Sequence, residues 1–192
     1  MVNNDLFREL HTNRLVLKKV EGEDIGHLYS NIYNRFSFCK FYDQRQFANL
    51  NEYMMSVFPY SYYYLRGNCF KWCVLHKKSN MVIGEVSLNS CDENDINDKF
   101  DLRYIFSYKC LNQGYATEAV LSVIDFAFNQ LDAHRIQAEI VTENVPALRL
   151  AQKVGMSYEG TMVDSYKING DYYNQDVFSV INPKHKVKSI FK

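Results

Sequence analysis

Proline is scarce in this sequence. Only three of the 192 residues are proline, whereas 47% are hydrophobic. This composition argues against a disordered chain and indicates a packed core. No segment has the roughly 20 consecutive apolar residues that a membrane-spanning helix needs. The opening MVNNDLFREL has no apolar run behind a basic end, so it does not indicate a signal peptide. We therefore expect a cytoplasmic protein without a membrane partner.

An excess of charge of one sign is also lacking. Lys and Arg together number 22, as do Asp and Glu, so the formal net charge is +0. Nucleic-acid-binding proteins usually carry a basic face, so we do not expect nucleic acid as a partner. The basic tail KHKVKSIFK is too short to change this expectation. The acidic loop between residues 92 and 98 is interpreted as solvated, with attraction of a cationic amine as the alternative.

Paired cysteines are lacking as well. The five cysteines are odd in number and irregularly spaced, which argues against a disulfide framework. Cys69, Cys73 and His76 are conceivable metal ligands. The segment CFKWCVLH has the pattern of a strand, however, and this places the two cysteines on one face and His76 on the other. No second ligand pair follows, so we predict no metal site.

Helical and strand patterns alternate along the chain without a linker or an internal repeat. Their order predicts one α/β domain over residues 1–192, with a core at about 11–182 and a basic tail at 183–192. The predicted order is β–α–α–β–β–β–α–β–α–β–β. It includes a hairpin formed by FKWCVLH and MVIGEVSL, an amphipathic helix after Gly114, a helix capped by Asn144 and a closing hairpin that turns at Asn169–Gly170.

The loop CLNQGYATEAV, residues 110–120, lies between a predicted strand and that amphipathic helix. The first N–H groups of a helix are not used within the helix and form an anion site together with the helix dipole. Gly114 permits an unusual backbone conformation, and Ala116 permits close approach of a ligand. The loop alone leaves open an ordinary helix start. No G-x-x-x-x-G-K-[ST] or G-x-G-x-x-G motif is present, which excludes the common nucleotide-binding loops.

Four segments in order resemble the GNAT superfamily (GCN5-related N-acetyltransferases), especially the branch with the ribosomal-protein N-terminal acetyltransferases. They are HTNRLVLKKVEGEDI, FKWCVLHKKSNMVIGEVSL, LNQGYATEA and NVPALRLAQKVGMSYEGTMVDSYKINGDYYNQDVFSVI. Together they span about residues 11–182, and only the tyrosine-rich stretch 35–68 has no clear counterpart. The resemblance implies a mixed, mostly antiparallel sheet of about seven strands with about four helices, and acetyl-CoA as cosubstrate without a metal.

The resemblance also implies a set of cofactor contacts. The backbone of Ile105, Phe106 and Ser107 would pair with the pantetheine arm. Asn144 would bind the cofactor arm, with Arg149 and Lys153 nearby. The pyrophosphate would be held by six consecutive residues: Asn112, Gln113, Gly114, Tyr115, Ala116 and Thr117.

The catalytic residues are less clear, because the sequence departs from the family pattern. Ala147 replaces a frequent Ser that is thought to protonate the departing thiolate, and Asp101 replaces a frequent Glu. An attacking amine must lose a proton, so we predict Asp101 as the base, directly or through water. A solvated carboxylate is the alternative. Tyr166, Tyr172 and Tyr173 in the closing hairpin are candidate hydroxyls, with simple packing as the alternative for each. Of the three, Tyr172 is predicted to be catalytic.

The sequence thus predicts an acetyl-CoA-dependent N-acetyltransferase. The acetyl group would move to a primary amine by direct attack in a ternary complex. The acceptor would be a peptide N-terminus or a small molecule, and the sequence does not rank the two. A non-catalytic acyl-CoA-binding sensor or assembly module is the alternative. The tyrosines between residues 60 and 64 are interpreted as core or as the surface of a homodimer, with an aromatic groove for the acceptor as the alternative.

Overall fold

The computed structural model of the chain describes residues 6–34, 41, 47–57, 69–91 and 98–185. Eight strands and four helices lie within these residues, and α1 continues into a π-helical turn at Tyr29–Tyr33. The predicted order of elements is confirmed, with one additional two-residue strand at the start. The elements are β1 Leu10–His11, β2 Leu15–Lys19, α1 Gly22–Leu28, α2 Leu50–Val57, β3 Cys69–His76, β4 Met81–Ser90, β5 Lys99–Phe106, α3 Tyr115–Gln130, β6 Arg135–Val141, α4 Val145–Lys153, β7 Ser157–Ile168 and β8 Asp171–Ile181.

Two regions discussed above lie outside the described residues. They are the tyrosine-rich segment 60–64 and most of the basic tail, from residue 186 onward. The acidic loop is described only at its end, at Asp98.

All eight strands form one sheet in the order β1-β2-β3-β4-β5-β6-β8-β7. Neighbouring strands are antiparallel except β5 and β6, which are parallel. The predicted mixed, mostly antiparallel sheet is thus confirmed. The parallel pairing is short: it begins at Lys99↔Arg135 and ends at Asp101↔Gln137. Beyond that pair the two strands separate, which leaves an opening in the middle of the sheet.

The larger core lies between the sheet and α3. The apolar face that the sequence predicted for this helix is buried, with Val120, Val123 and Ala127 fully shielded from solvent. Strands β3 and β5 contribute Trp72 and Phe100 from the facing side of the sheet. The three- and four-residue spacing of the apolar residues of α3 therefore anchors the helix behind the loop that precedes it.

A second core lies under α1 and α2 on the opposite face. The rings of Tyr33 and Tyr53 stack with their centroids 4.6 Å apart. Beneath them Lys71 and Glu85 form a buried ion pair of 2.8 Å, and the Tyr33 hydroxyl donates to Glu85 over 3.1 Å. This face of the sheet is therefore polar near its centre, whereas the face under α3 is apolar.

Gly84 of β4 lies opposite Phe106 of β5, at the strand that borders the opening. A Cβ atom at Gly84 would lie 2.7 Å from Cε1 of Phe106 and 2.9 Å from the Ile105 carbonyl oxygen, with Cδ1 of Phe106 in still closer contact. Real Cβ atoms do not approach backbone that closely. The absence of a side chain at Gly84 therefore sets the position of the end of β5.

We predict that Gly84→Ala lowers the free energy of unfolding by about 1–3 kcal/mol, because the added methyl group overpacks the core against Phe106 and the β5 backbone. Chemical denaturation measures this loss. Gly26→Ala is the matched control, because no atom lies within 4 Å of its added Cβ and it lies within α1. The control should gain about 0.5–1 kcal/mol. Equal effects at the two glycines would contradict the close approach.

Candidate functional site

A cavity of about 600 Å³ opens where β5 and β6 separate. It extends from the end of β5, past the loop before α3, to the exposed side of α4. The residues that line it come from these three segments and from Phe41. They are Phe41, Tyr104, Ile105, Phe106, Cys110, Leu111, Asn112, Gly114, Ala116, Thr117, Asn144, Pro146, Ala147, Arg149, Leu150 and Lys153.

Nine of the twelve cofactor residues expected from the sequence line this cavity, and three do not. The three are Ser107, Gln113 and Tyr115. The Ser107 N–H donates to the Ile83 carbonyl over 2.8 Å, on the side of β5 away from the opening. The side chains of Gln113 and Tyr115 contact neighbouring protein groups, at Lys109 and His76 respectively.

The free edge of β5 faces the cavity. Hydrogen-bonding directions alternate along a strand, so Phe106 directs its N–H opposite to that of Ser107, which bonds to β4. The β5–β6 pairing has already ended at Asp101, so the Phe106 N–H points into the opening. This edge can pair with an extended ligand as a further strand would.

The loop before α3 lies at the other end of the cavity. Asn112 and Gly114 have left-handed backbone angles, with φ values of 60° and 79°. Gly114 is the N-cap of α3, a helix of 16 residues, so the positive end of a long helix dipole lies at the loop. Arg149 and Lys153, one turn apart on α4, add two exposed cations to the same cavity. The arrangement suits a polyphosphate group.

Asn144 stands at the predicted N-cap of α4, but its side chain makes no capping hydrogen bond. Its backbone carbonyl accepts the N–H groups of Ala147 and Leu148 over 2.9 and 3.1 Å. The residue lines the cavity. The predicted helix start is thus confirmed, whereas the side chain does not make the capping bond on which the prediction was based.

A smaller cavity of about 70 Å³ lies at the strand separation, lined by residues of β5 and β6. It shares Phe41, Tyr104, Asn144 and Ala147 with the larger cavity, so the two spaces adjoin. Its other lining residues are largely polar. They are Asp101, Leu102, Arg103, Ala138, Glu139, Ile140, Tyr166 and Gln175.

Two carboxyl groups of this small cavity, those of Asp101 and Glu139, have raised pKa values. Burial raises the pKa of Asp101 above its ordinary value, and the ion pair with Arg103 at 2.9 Å opposes the shift without cancelling it. The side chain of Asp101 keeps 18% of its exposure. Burial also raises the pKa of Glu139, and the negative charge of Asp101 adds to that effect. A carboxyl group with a raised pKa is a better proton acceptor once it is ionised.

Tyr104 crosses the opening from β5 to α4. Its hydroxyl donates to the Ala147 carbonyl over 3.0 Å, and burial raises the pKa of the phenol. The phenol therefore keeps its proton at neutral pH. Tyr104 lines both cavities. Its partner Ala147 is the α4 residue at which the family pattern has a frequent Ser.

Tyr172, the hydroxyl candidate from the sequence, occupies a different place. It is 59% exposed and lies near the tip of the β7–β8 hairpin, opposite Lys167. Neither cavity is lined by Tyr172. Tyr166 of the same hairpin does line the small cavity. A catalytic role for Tyr172 stays a prediction, because its side chain lines neither cavity.

Sequence reasoning missed three residues of the site: Arg14, Tyr104 and Glu139. Arg14 reaches the loop before α3 from the start of β2, as described below. Tyr104 and Glu139 each lie in a strand whose alternation predicts only which face they take. A signal for Tyr104 and Glu139 appears only when β5 and β6 are known to be neighbours.

Cys69 and Cys73 are buried free thiols, and burial raises the pKa of Cys69 to about 12. Within the described ranges no cluster of three or more His, Cys, Asp or Glu side chains is arranged to hold a metal ion. No helix in the described part of the chain is long and apolar enough to cross a membrane.

Comparisons with solved structures place this fold among known acetyltransferases. A ribosomal-protein-S5-alanine acetyltransferase from Vibrio fischeri superposes with a TM-score of 0.81 at 18% identity, covering 94% of this chain and 100% of the other. A spermidine N-acetyltransferase from Vibrio cholerae, solved with CoA and spermine, superposes with a TM-score of 0.78 at 19% identity, covering 90% and 98%. These likenesses concern the fold.

Sequence comparison gives the family. An uncharacterized N-acetyltransferase, p20, from Bacillus licheniformis is 26% identical over 176 residues, which cover 92% of this chain and 97% of the relative. The family model described as an acetyltransferase (GNAT) domain matches residues 14–157. With most of its 192 residues inside that match, and with the fold and cavity above, the chain belongs to the GNAT family of N-acetyltransferases.

Proposed function

We propose that the protein transfers an acetyl group from acetyl-CoA to a primary amine by direct attack in a ternary complex. The observation that carries the proposal is the meeting of two cavities at the separation of β5 and β6. The larger has an anion site and a free strand edge, and the smaller holds Asp101 and Glu139. A cofactor entering from one side and an amine entering from the other meet at Tyr104.

The residues of the larger cavity fit coenzyme A. Its pyrophosphate suits the N–H groups around Gly114 and the cations Arg149 and Lys153. Its amide-containing pantetheine arm suits the free edge of β5 at Phe106. Asn144, where α4 begins, lines the same cavity and is proposed to contact the arm.

When bound, acetyl-CoA supplies an acyl carbon that is already activated as a thioester, so a neutral amine can attack it directly. The chain must then accept a proton and stabilise the negative charge that develops on the acyl oxygen. Asp101 is the proposed base, since it lines the small cavity where β5 and β6 part. Aspartate is short, so a bridging water is the expected route for the proton.

The backbone N–H of Tyr104 is the proposed donor to the developing oxyanion. Alternation along β5 directs it to the same side as the Phe106 N–H, and it lies nearer to the point where the pairing with β6 ends. The Tyr104 hydroxyl lies 3.0 Å from the carbonyl oxygen of Ala147, the residue that replaces the frequent Ser of the family pattern. The phenol stays protonated and is held at the Ala147 carbonyl. We assign it a hydrogen bond to the departing thiolate, which requires its hydroxyl to turn away from the Ala147 carbonyl.

The acceptor is proposed to be a cationic primary amine before it reacts. Asp101 and Glu139 together attract an ammonium group, and the ion pair of Arg103 with Asp101 partly neutralises their negative charge. Among the structural neighbours, one was solved with spermine and another is named for the alanine of a ribosomal protein. Both acceptor classes, a small amine and a peptide N-terminus, therefore enter the first assay panel.

The direct test combines binding and turnover. Acetyl-CoA should bind, and free CoA should be released only when an amine acceptor is present. Initial-rate kinetics should give intersecting lines, since both substrates must be bound before reaction. Tight binding of acetyl-CoA without turnover on any small amine or peptide would support a non-catalytic acyl-CoA sensor instead.

Gly114→Glu should weaken acetyl-CoA binding roughly 100-fold or more, because it adds bulk and a negative charge where the pyrophosphate is expected. Isothermal calorimetry measures the change. Gly22→Glu is the matched control, since nothing lies within 4 Å of its Cβ and it lies at the start of α1. A folded Gly114→Glu variant with unchanged affinity would remove the loop from the cofactor site.

Asp101→Asn should lower kcat by roughly 100-fold or more, because the proton acceptor is lost. The pKa of Asp101 is raised, so the base is progressively protonated as the pH falls through that raised value. As the pH falls, protonation of the acceptor amine lowers kcat/KM. Protonation of Asp101 should make this fall in kcat/KM steeper at lower pH. In Asp101→Asn the extra steepness should vanish, whereas Glu139→Gln should keep it. A wild-type profile in Asp101→Asn would refute its role as base.

A further inference from the structure

Arg14, which precedes β2, lies against the loop before α3 and contacts it in three ways. Its Nη1 donates to the Gln113 carbonyl over 2.9 Å. Its Nε donates to Glu118 over 2.7 Å. Its guanidinium also lies over the ring of Tyr115, with Cζ 4.4 Å from the ring centroid. One side chain therefore holds the residue before Gly114, the residue after it and the first turn of the helix.

The position of Glu118 explains why that turn needs a cation. Glu118 lies in the first turn of α3, close to the expected site of an anionic ligand. Its carboxylate accepts the Thr12 hydroxyl over 2.6 Å and the Arg14 N–H over 2.7 Å, besides the guanidinium. Burial acts to raise its pKa, but these hydrogen bonds outweigh burial and lower it. Glu118 is therefore ionised, and its pairing with Arg14 offsets the repulsion that the carboxylate would otherwise exert on a bound phosphate.

The bond to the Gln113 carbonyl has a direct geometric consequence. The C=O and N–H of a trans peptide point in opposite directions, and every described peptide bond is trans. The Gln113 carbonyl points to Arg14, so the Gly114 N–H of the same peptide points away from it. Gly114 lines the cavity, whereas Gln113 does not. Arg14 thus holds this peptide with its donor toward the cavity.

The opposite peptide orientation is sterically available, because Gly114 has a φ of 79°, a region in which glycine moves freely. In that orientation a carbonyl oxygen would face the ligand. Arg14 is fixed at its own base, since its backbone N–H also bonds Glu118 and β2 begins at the next residue. The Tyr115 hydroxyl, 3.3 Å from Nε2 of His76, secures the far side of the loop to β3.

We propose that Arg14 is a positioning residue for the pyrophosphate of the cofactor. It keeps the Gly114 N–H turned toward the cavity and neutralises Glu118 beneath the anion. This inference rests on the proposed binding of acetyl-CoA. Arg14 acts through Gln113 and Glu118, not through contact with the reacting atoms.

The test compares two probes, CoA and pantetheine, which lacks the pyrophosphate and the nucleotide. Arg14→Ala should raise the dissociation constant of CoA about 10- to 100-fold, the effect of losing hydrogen bonds to a charged group. The same substitution should leave the dissociation constant of pantetheine unchanged. Arg14→Lys should fall between wild type and Arg14→Ala, because an ammonium can face Glu118 but cannot also reach Gln113 and stack on Tyr115. Ligand-induced shifts in Tm and calorimetry give both affinities.

Arg135→Ala is the matched control, since Arg135 forms a two-point ion pair with Glu159 and lines neither cavity. It should leave CoA affinity unchanged. Equal losses for CoA and pantetheine in Arg14→Ala would overturn the proposal in favour of a general structural role, as would unchanged CoA affinity. If Arg14→Ala does not fold, the comparison of Arg14→Lys with wild type decides. Failure of the wild-type protein to bind CoA would instead refute the proposed function.

Discussion

The site depends on a parallel strand pairing that stops early. After Asp101 and Gln137 the hydrogen bonds between β5 and β6 end, although both strands continue. A continuous sheet would fill this space with backbone hydrogen bonds, and an unmatched strand edge inside a fold needs another partner. The pairing of β5 with β4 continues to Phe106, so the open edge of β5 is held rigidly. The cavity, the free N–H groups and the place of Asp101 all follow from this one interruption.

Binding a highly charged cofactor does not require a basic protein. The chain has a formal net charge of +0, and its cations are arranged locally. The dipole of α3 and the side chains of Arg149 and Lys153 provide positive potential at one end of the cavity. The Arg14–Glu118 pair adds order without adding net charge. In the smaller cavity, which we propose receives the amine, the sign reverses, with Asp101 and Glu139 partly balanced by Arg103. The polarity of the two cavities thus matches an anionic donor and a cationic acceptor.

The order of strands and helices was predictable because periodicity and turn residues are local signals. The apolar spacing in α3 and the glycine before it were sufficient to locate the loop, and nine expected cofactor residues line the cavity. Arg14 was not predictable in this way, since it meets Glu118 from 104 positions away. Glu139 and Tyr104 acquire meaning only from the separation of β5 and β6. Tyr172 illustrates the converse: its place in the closing hairpin suggested a role, but the length of that hairpin carries it to an exposed tip.

Backbone hydrogen exchange with and without CoA tests whether the separated strands and the loop before α3 bind the cofactor. We expect CoA to slow exchange at the N–H groups of Phe106 and Gly114, which point into the opening. The Ser107 N–H should be unaffected, because it already donates to the Ile83 carbonyl. If CoA binds and the N–H groups of Phe106 and Gly114 exchange as before, the separated strands and the loop before α3 are not the cofactor site.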